Sequence, residues 1–560
     1  MKSRRALFIT FLLLSMIYDC VAQSVIRGPY LQLGTPNSMI VRWRTDTPTD
    51  SRIWYGSSPT SLTSMLTVAG SRTEHEINVT SLTPDTKYYY AVGDNSGTLS
   101  YDNLGFFPSQ LAGEDNQHYF TTSPPHGTNK ATSIWVLGDA GTNDANQRAV
   151  REGFYSHNGG PHSDLILTLG DNAYEDGTDA EYQLAWFEDM YEQSLINSVL
   201  WNCPGNHDIN SANSLLETGP YYDIFNLPRN GEAGGVPSGT EAYYSFDYAN
   251  IHFISINTED IDQSPGSPML TWLQNDISST TQEWIIAFTH HQAYYSTAEV
   301  RANIVPILEA GGVDLVLYGH KHLYRRSYLM DGHYGPEGSF DPVTMALDIG
   351  DGRIDGNGGY MKPPGVVANS GTVHLISGSA GKVSPLDAGY PFFIYEYGQP
   401  DAGSVNISIS GTQMDVQFIN YQGNVLDYFT ILKGQGIAPS VSVTNPADGT
   451  SYPNVQPITV DADASDPDGQ VTQVEFFANG NSIGVDMTEP YSISWTPATE
   501  GVYEIYARAT DSDNNTVQSP SIMIQVGIFS RCSVVSVGSD DGEETISSGS
   551  MSLGSADLEF

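Results

Sequence analysis

Hydrophobic and polar positions alternate with a period of two in four stretches near the amino end, Met39–Trp43, Ser51–Tyr55, Glu74–Val79 and Lys87–Val92. Such alternation sends successive side chains to opposite faces of a strand, and turn residues space the stretches evenly, so residues 24–125 read as a β-sandwich. A Pro-rich linker follows at Thr122–His126, and the rhythm then changes. Uniformly apolar runs at Ile134–Leu137, Leu165–Leu169, Val199–Trp201, His252–Ile256, Trp284–Phe288 and Leu315–Tyr318 alternate with helical periodicity in Asn143–Tyr155, Glu181–Ile196, Pro268–Ile277 and Val300–Leu308. Buried strands alternating with amphipathic helices predict an α/β domain over residues 130–433, closed by strands such as Thr372–Ser377 and Met414–Phe418. After a second linker at 434–439, alternation returns over residues 440–526 as another β-sandwich. Residues 528–560 read as the start of an incomplete β domain or a tail.

The first 22 residues fit none of these patterns. Lys2, Arg4 and Arg5 precede an apolar run, Ala6–Ile17, and the small-residue sequence Cys20-Val21-Ala22 ahead of Gln23. That is the layout of a secretory signal peptide cleaved near Ala22–Gln23, and it predicts a secreted protein, extracellular or periplasmic. Lipid attachment at Cys20 is disfavoured by Asp19 before it. No stretch reaches about 18 uninterrupted apolar residues, so no membrane span is expected. Cys203 and Cys532 alone lie past the cleavage point and imply no disulfide framework. The net charge of −42, from 65 acidic and 23 basic residues in a chain of 560, argues against a nucleic-acid-binding surface, which needs basic stripes. A small phosphate ester feels the field less, because salt screens it beyond about 8–10 Å and a bound metal ion dominates close in.

Five short motifs close the apolar strands of the α/β region: Gly138-Asp139-Ala140-Gly141, Gly170-Asp171-Asn172-Ala173-Tyr174, Gly205-Asn206-His207-Asp208, Thr289-His290-His291 and Gly319-His320-Lys321-His322. In open α/β sheets the carboxyl ends of the strands are where sites form, and four of the five motifs carry a glycine where the chain turns tightly. Each motif alone is commonplace. Together they can supply one site with three imidazoles, two carboxylates, an amide oxygen and a phenol, which packing does not require. Hard oxygen donors and imidazoles without thiolate suit Fe, Mn or Zn, and seven ligands are too many for one tetrahedral ion. The set suits two ions sharing a bridging carboxylate. In the carboxy-terminal β module, the run Asp461–Gly469 reads as a polar turn or a structural Ca²⁺ site.

The five motifs resemble those of the calcineurin-like metallophosphoesterases, and within them the purple acid phosphatases, whose blocks run Asp-x-Gly, Gly-Asp-x-x-Tyr, Gly-Asn-His-Asp/Glu, Val-x-x-His and Gly-His-x-His. The resemblance spans residues 24–433, because larger members carry a fibronectin-like amino-terminal domain, and Leu82–Tyr88 resembles the tyrosine-bearing corner of a fibronectin type III module. Residues 440–526 resemble bacterial immunoglobulin-like modules of secreted enzymes. Carried over motif by motif, the resemblance implies Fe(III) held by Asp139, Tyr174 and His322, a divalent Fe, Zn or Mn held by Asn206, His290 and His320, and Asp171 bridging. The choice of His290 over His291 rests on the register of the fourth motif.

The function implied is a secreted acid phosphatase that hydrolyses small phosphate monoesters by a metal-bound hydroxide, with His207 as the catalytic residue. The family's further non-ligand histidine is missing from Tyr294–Val300, so substrate contacts are expected from Asn206 and His207 with help from His291, Tyr294 or Arg301. A phosphodiesterase or nucleotidase using the same metals is the alternative enzyme. An adhesion or carbohydrate-binding protein with a catalytically silent α/β domain is the alternative from another class. The sequence carries no signal for oligomeric state.

Overall fold

In the amino-terminal region, alternation becomes four long strands: β1 (Ser24–Gln32), β2 (Met39–Gly56), β3 (Ser64–Val79) and β4 (Lys87–Asp94). The expected break between Met39–Trp43 and Ser51–Tyr55 does not occur. β3 pairs with β2 from Met39↔Val79 to Tyr55↔Ser64 and absorbs the intervening polar segment as register shifts. The corner at Leu82–Tyr88 forms as expected, with the Thr83 N–H donating to the Tyr88 hydroxyl at 3.1 Å. The computed structural model describes residues 24–95, 97–98, 100–101, 116–294, 298–387, 389–434, 438–466, 470–512 and 515–527. Residues 1–22, read above as a signal peptide, with Cys20 among them, Cys532 and the 528–560 segment lie outside them.

The apolar runs of the α/β region form two sheets. In the first, β5 (Thr132–Leu137), β6 (Leu165–Leu169) and β7 (Val199–Cys203) are adjacent and parallel. In the second, β8 (Ile251–Ile256), β9 (Trp284–Thr289) and β10 (Leu315–Tyr318) are parallel, and β11 (Tyr324–Met330) runs antiparallel to β12 (Thr372–Ser377), which pairs in parallel with β10. Period-two geometry explains how the sheets associate. Trp284, Ile286 and Phe288 of β9 join the core that contains Leu167 and Trp201, whereas Ile285 and Ala287 join a second core with Leu273 and Leu308 from the helices Pro268–Ser279 and Val305–Ala310. The carboxyl ends of β5–β7 and of β9–β10 therefore meet along one rim.

β1 also pairs in parallel with β7 at Leu31↔Val199, so the amino-terminal strands continue into a 14-stranded sheet. Side chains reinforce the join. Arg44 forks onto both oxygens of Asp179 at 2.6 and 2.7 Å, Arg27 reaches the same carboxylate at 3.0 Å, and Tyr30 donates to the Ile224 carbonyl at 2.9 Å.

The helix expected over Glu181–Ile196 is instead three short pieces: a turn at Asp179–Tyr182 with a Thr178–Glu181 capping box, a π-helical turn at Gln183–Phe187, and a turn at Glu192–Leu195. Tyr182, Ala185, Trp186, Phe187, Met190 and Tyr191 are all buried, too many consecutive apolar positions for one helical stripe. The chain breaks at Asp189, where φ is +58°, and Arg151 binds the freed carbonyls of Asp189 and Met190 at 2.8 and 2.7 Å.

The chain divides into two compact units, Met1–Ile437 and Ala438–Phe560. The described part of the second is all β, with Ile458–Ser465 between Ser440–Asn445 and Tyr491–Trp495 in one sheet and Gly501–Asp511 central in the other. Val460, Phe476, Ile505 and Ile524 form its core. Asp461 accepts from the Ser492 hydroxyl at 2.6 Å, while Pro467, Asp468 and Gly469 of the acidic run lie outside the described residues.

Candidate metal centre

Five of the seven candidate ligands stand just past a strand end: Asp139 after β5, Asp171 after β6, Asn206 after β7, His290 directly after β9, and His320 after β10. Asp139, Asp171 and His320 all have left-handed backbones, with φ of 57°, 53° and 65°. Such conformations cost about 1–3 kcal/mol each in non-glycine residues and collect at functional sites. The glycines beside them admit the close approach of neighbouring loops. A Cβ on Gly205 would lie 2.2 Å from the Asp171 amide nitrogen and 2.3 Å from its Oδ1. One on Gly170 would lie 2.4 Å from His290 Nδ1.

The side chains form two groups. In one, the Tyr174 hydroxyl donates to Asp171 Oδ2 at 2.8 Å and lies 3.2 Å from Asp139 Oδ1, which His322 Nε2 approaches to 3.4 Å. Ligating atoms of Asp139, Asp171 and His322 all fall within 4.8 Å of one another. In the other, Asn206 Oδ1 lies 3.1 Å from His290 Nε2 and 3.0 Å from His320 Nδ1, and those two ring nitrogens are 3.3 Å apart. Asp171 touches both groups, since its Oδ1 lies 3.4 Å from His290 Nε2.

The hydrogen bonds around the cluster aim its lone pairs inward. His290 Nδ1 donates to the Leu169 carbonyl at 2.7 Å, which turns Nε2 toward Asn206 and His320. The His320 N–H donates to Asp139 Oδ2 at 2.8 Å, and the His207 N–H to Asp171 Oδ1 at 3.0 Å. Burial pushes the Asp139 carboxyl up. Burial acts the same way on Asp171, but His290 and His207 hold it below the usual carboxylate range. Burial and the two carboxylates raise the Tyr174 phenol far above its ordinary value. His290 is raised to about 9, against its burial, by Asp171 and Asp139, whereas burial and the neighbouring His290 and His291 lower His320 to about 3. Converging nitrogen and oxygen donors without thiolate are a fit to hard or borderline cations.

His207 lies beside the cluster with its ring 4.5 Å from that of Tyr174, its Nδ1 2.5 Å from the Glu175 carbonyl and its Nε2 3.9 Å from Asp171 Oδ2. His291 is held apart from His290. Its Nδ1 pairs with Glu259 at 2.7 Å, and its ring lies 4.2 Å from that of His320. Tyr294 is buried in the second core, stacked on His333 with its hydroxyl donating to the His333 carbonyl at 3.2 Å. Arg301 donates to the Ala293 carbonyl at 3.1 Å.

Two supports were given no role in the sequence reading. Asp208 is fully buried and accepts from the N–H groups of Gly205 and Asn172 at 2.7 and 3.1 Å and from the Tyr182 hydroxyl, which clamps the second motif loop to the third. Burial and the charge of Asp171 push it up to about 7. The loop after β12 is a sixth site segment: Ala380 N–H bonds the Gly138 carbonyl, Lys382 N–H the Asp139 carbonyl and Ser384 N–H the His322 carbonyl. Its sequence signal is the small-residue run Gly378-Ser-Ala-Gly381 at a strand end.

Residues 26–104 match the family model for the purple acid phosphatase N-terminal domain, 132–324 that for calcineurin-like phosphoesterases, and 439–507 that for a bacterial Ig domain. The chain is 28% identical over 316 residues to purple acid phosphatase 15 of Arabidopsis thaliana, covering 50% of this chain and 53% of that one. It is 23% identical over 452 residues to acid phosphatase type 7 of Homo sapiens, covering 70% and 87%. Its fold matches a purple acid phosphatase from yellow lupin seeds with a TM-score of 0.52 at 17% identity, covering 74% of each chain. The chain thus carries a purple acid phosphatase N-terminal domain, a calcineurin-like phosphoesterase domain and a bacterial Ig domain, and the first two indicate a metal-dependent phosphoester hydrolase.

Proposed function

We propose that this protein is an exported acid phosphatase acting on small phosphate monoesters at a dinuclear centre. Asp139, Tyr174 and His322 would hold Fe(III), Asn206, His290 and His320 a divalent ion, and Asp171 would bridge. The observation that carries this reading is the division of the donors into two groups that share only Asp171. Two ions about 3.5–4 Å apart would supply an acidified water and offset the charge that develops on the phosphoryl group.

The chain's own residues do the rest. Asn206 and His207 present an amide and an imidazole at the edge of the cluster. His207 is fixed through Nδ1 to the Glu175 carbonyl and keeps Nε2 for the phosphate or the leaving alkoxide. Export is read from residues 1–22, and no described helix is long and apolar enough to cross a membrane.

Metal analysis with a visible spectrum tests the centre, and parallel assays on a nitrophenyl monoester and a bis-nitrophenyl diester test the substrate class. Iron, a tyrosinate band and faster monoester cleavage are expected. Full activity without iron would sink the Tyr174–Fe(III) assignment, and preferential diester cleavage would favour the phosphodiesterase reading. A metal-replete chain that hydrolyses neither would leave a binding protein.

A further inference from the structure

Lys382 stands at the rim of the cluster with a side chain that the preceding reading leaves unused. Its backbone is fixed by the N–H bond to the Asp139 carbonyl at 3.3 Å. Its ammonium lies 4.4 Å from the centre of the Tyr174 ring and 2.8 Å from Glu175 Oε1. Glu175 Oε2 lies 3.8 Å from His207 Nδ1, so the ammonium, the carboxylate and the imidazole line one edge of the cluster. The other lysine of the site segments, Lys321, approaches Asp387 at 3.7 Å.

A phosphate ester reaches this rim through the field of a strongly acidic protein, past Asp139, Asp171, Glu175 and Glu259. A positive charge beside His207 offsets that repulsion. The Glu175 side chain is 67% exposed, so its ion pair with Lys382 is screened by water and held weakly. The ammonium sits on a four-carbon stem and can turn from the carboxylate to a phosphate oxygen without moving the backbone. Because the Lys382 N–H already anchors the loop to Asp139, the side chain is not needed to hold the loop in place.

We propose that Lys382 binds the phosphate group of the substrate, with Glu175 holding the ammonium beside the cluster while no substrate is bound. The proposal rests on the reading of the cluster as a phosphoester-hydrolysing centre. It names a side-chain cation in a chain whose Tyr294–Val300 stretch contains no histidine.

The test compares metal-loaded wild type, Lys382→Met, Lys382→Arg and Glu175→Gln. It reads kcat and KM on nitrophenyl phosphate, calorimetric binding of inorganic phosphate, and metal content. Lys382→Met should raise KM and the phosphate Kd by about tenfold with a much smaller change in kcat and equal metal content, as expected for a lost charge-assisted contact made before the transition state. Lys382→Arg should restore most of the affinity, and Glu175→Gln should tighten phosphate binding. Unchanged phosphate affinity in Lys382→Met would overturn the proposal. So would an equal loss in Glu175→Gln, which makes the pair a structural brace. Absence of any hydrolysis by the metal-loaded wild type would overturn the underlying reading as well, and it is visible before any variant is compared.

Discussion

The first unit sets buried carboxylates against imidazoles at several points, and two of these clusters are built differently. His252 lies between Asp247 and Asp276, with Nδ1 2.7 Å from one carboxylate and Nε2 2.9 Å from the other. Asp276 also accepts from the Val236 N–H and the Ser245 hydroxyl, each at 2.7 Å. Donors and acceptors match, and although burial opposes the charge, Asp247 and Asp276 raise His252 to about 9. At the candidate metal centre the same residue types stand on left-handed backbones. Donors are too few there: one phenol proton faces two carboxylates, and one amide oxygen, that of Asn206, meets two imidazoles. A cluster that closes its own hydrogen bonds stabilises the fold, whereas one that aims lone pairs at a common centre is arranged for a cation.

The largest expected effect lies on the metal side of this contrast. Asp171→Ala should lower hydrolysis by about a thousandfold or more, with loss of bound metal, because both donor groups depend on it. Initial rates and metal content check this, and retention of most activity would remove the bridging role. On the closed side, Asp276→Asn should cost about 3–5 kcal/mol in denaturant unfolding by leaving the buried His252 charge underpaired, while kcat per folded molecule stays unchanged. A large loss of kcat instead would blur the distinction between the clusters.

Tyr174→Phe is a milder change at the metal centre. It should abolish the visible band and lower the rate about 10–100-fold. A surviving band would move the chromophore to another residue. The smallest effect is a pH slope. The folded His252 value of about 9 exceeds the ordinary histidine value of 6.5, so its stabilisation is complete below about pH 6.5 and is lost as pH rises through about 9. Unfolding midpoints should fall over that window in wild type and fall less in His252→Gln. Equal slopes would assign the loss to other groups.

Much of the candidate site was legible in the chain because most of its candidate ligands sit at strand ends, where a buried apolar run fixes the backbone. Leu165–Leu169 and Leu315–Tyr318 are strands with the predicted bounds. The helix expected at Glu181–Ile196 was misread because periodicity cannot say which apolar residues face the same core. Tyr182 packs beside Phe225 while Trp186 and Tyr191 pack together, and Arg151 from a distant helix holds the break between them. Asp208 was visible as a motif residue, but its role depends on Asn172 and Tyr182, far from it in sequence.

Residue chemistry is local and survives in a sequence: which donors exist, that none is a thiolate, and which glycines let a loop turn. The sequence by itself therefore determined the types of ligand, their order along the strands and the class of ion they suit. Pairing between distant side chains is set by how two sheets stack and is written in no single segment. The division of the donors around Asp171 came with the family resemblance; only the tertiary structure could turn His291 toward Glu259, bury Tyr294 in a separate core and bring Lys382 to the rim.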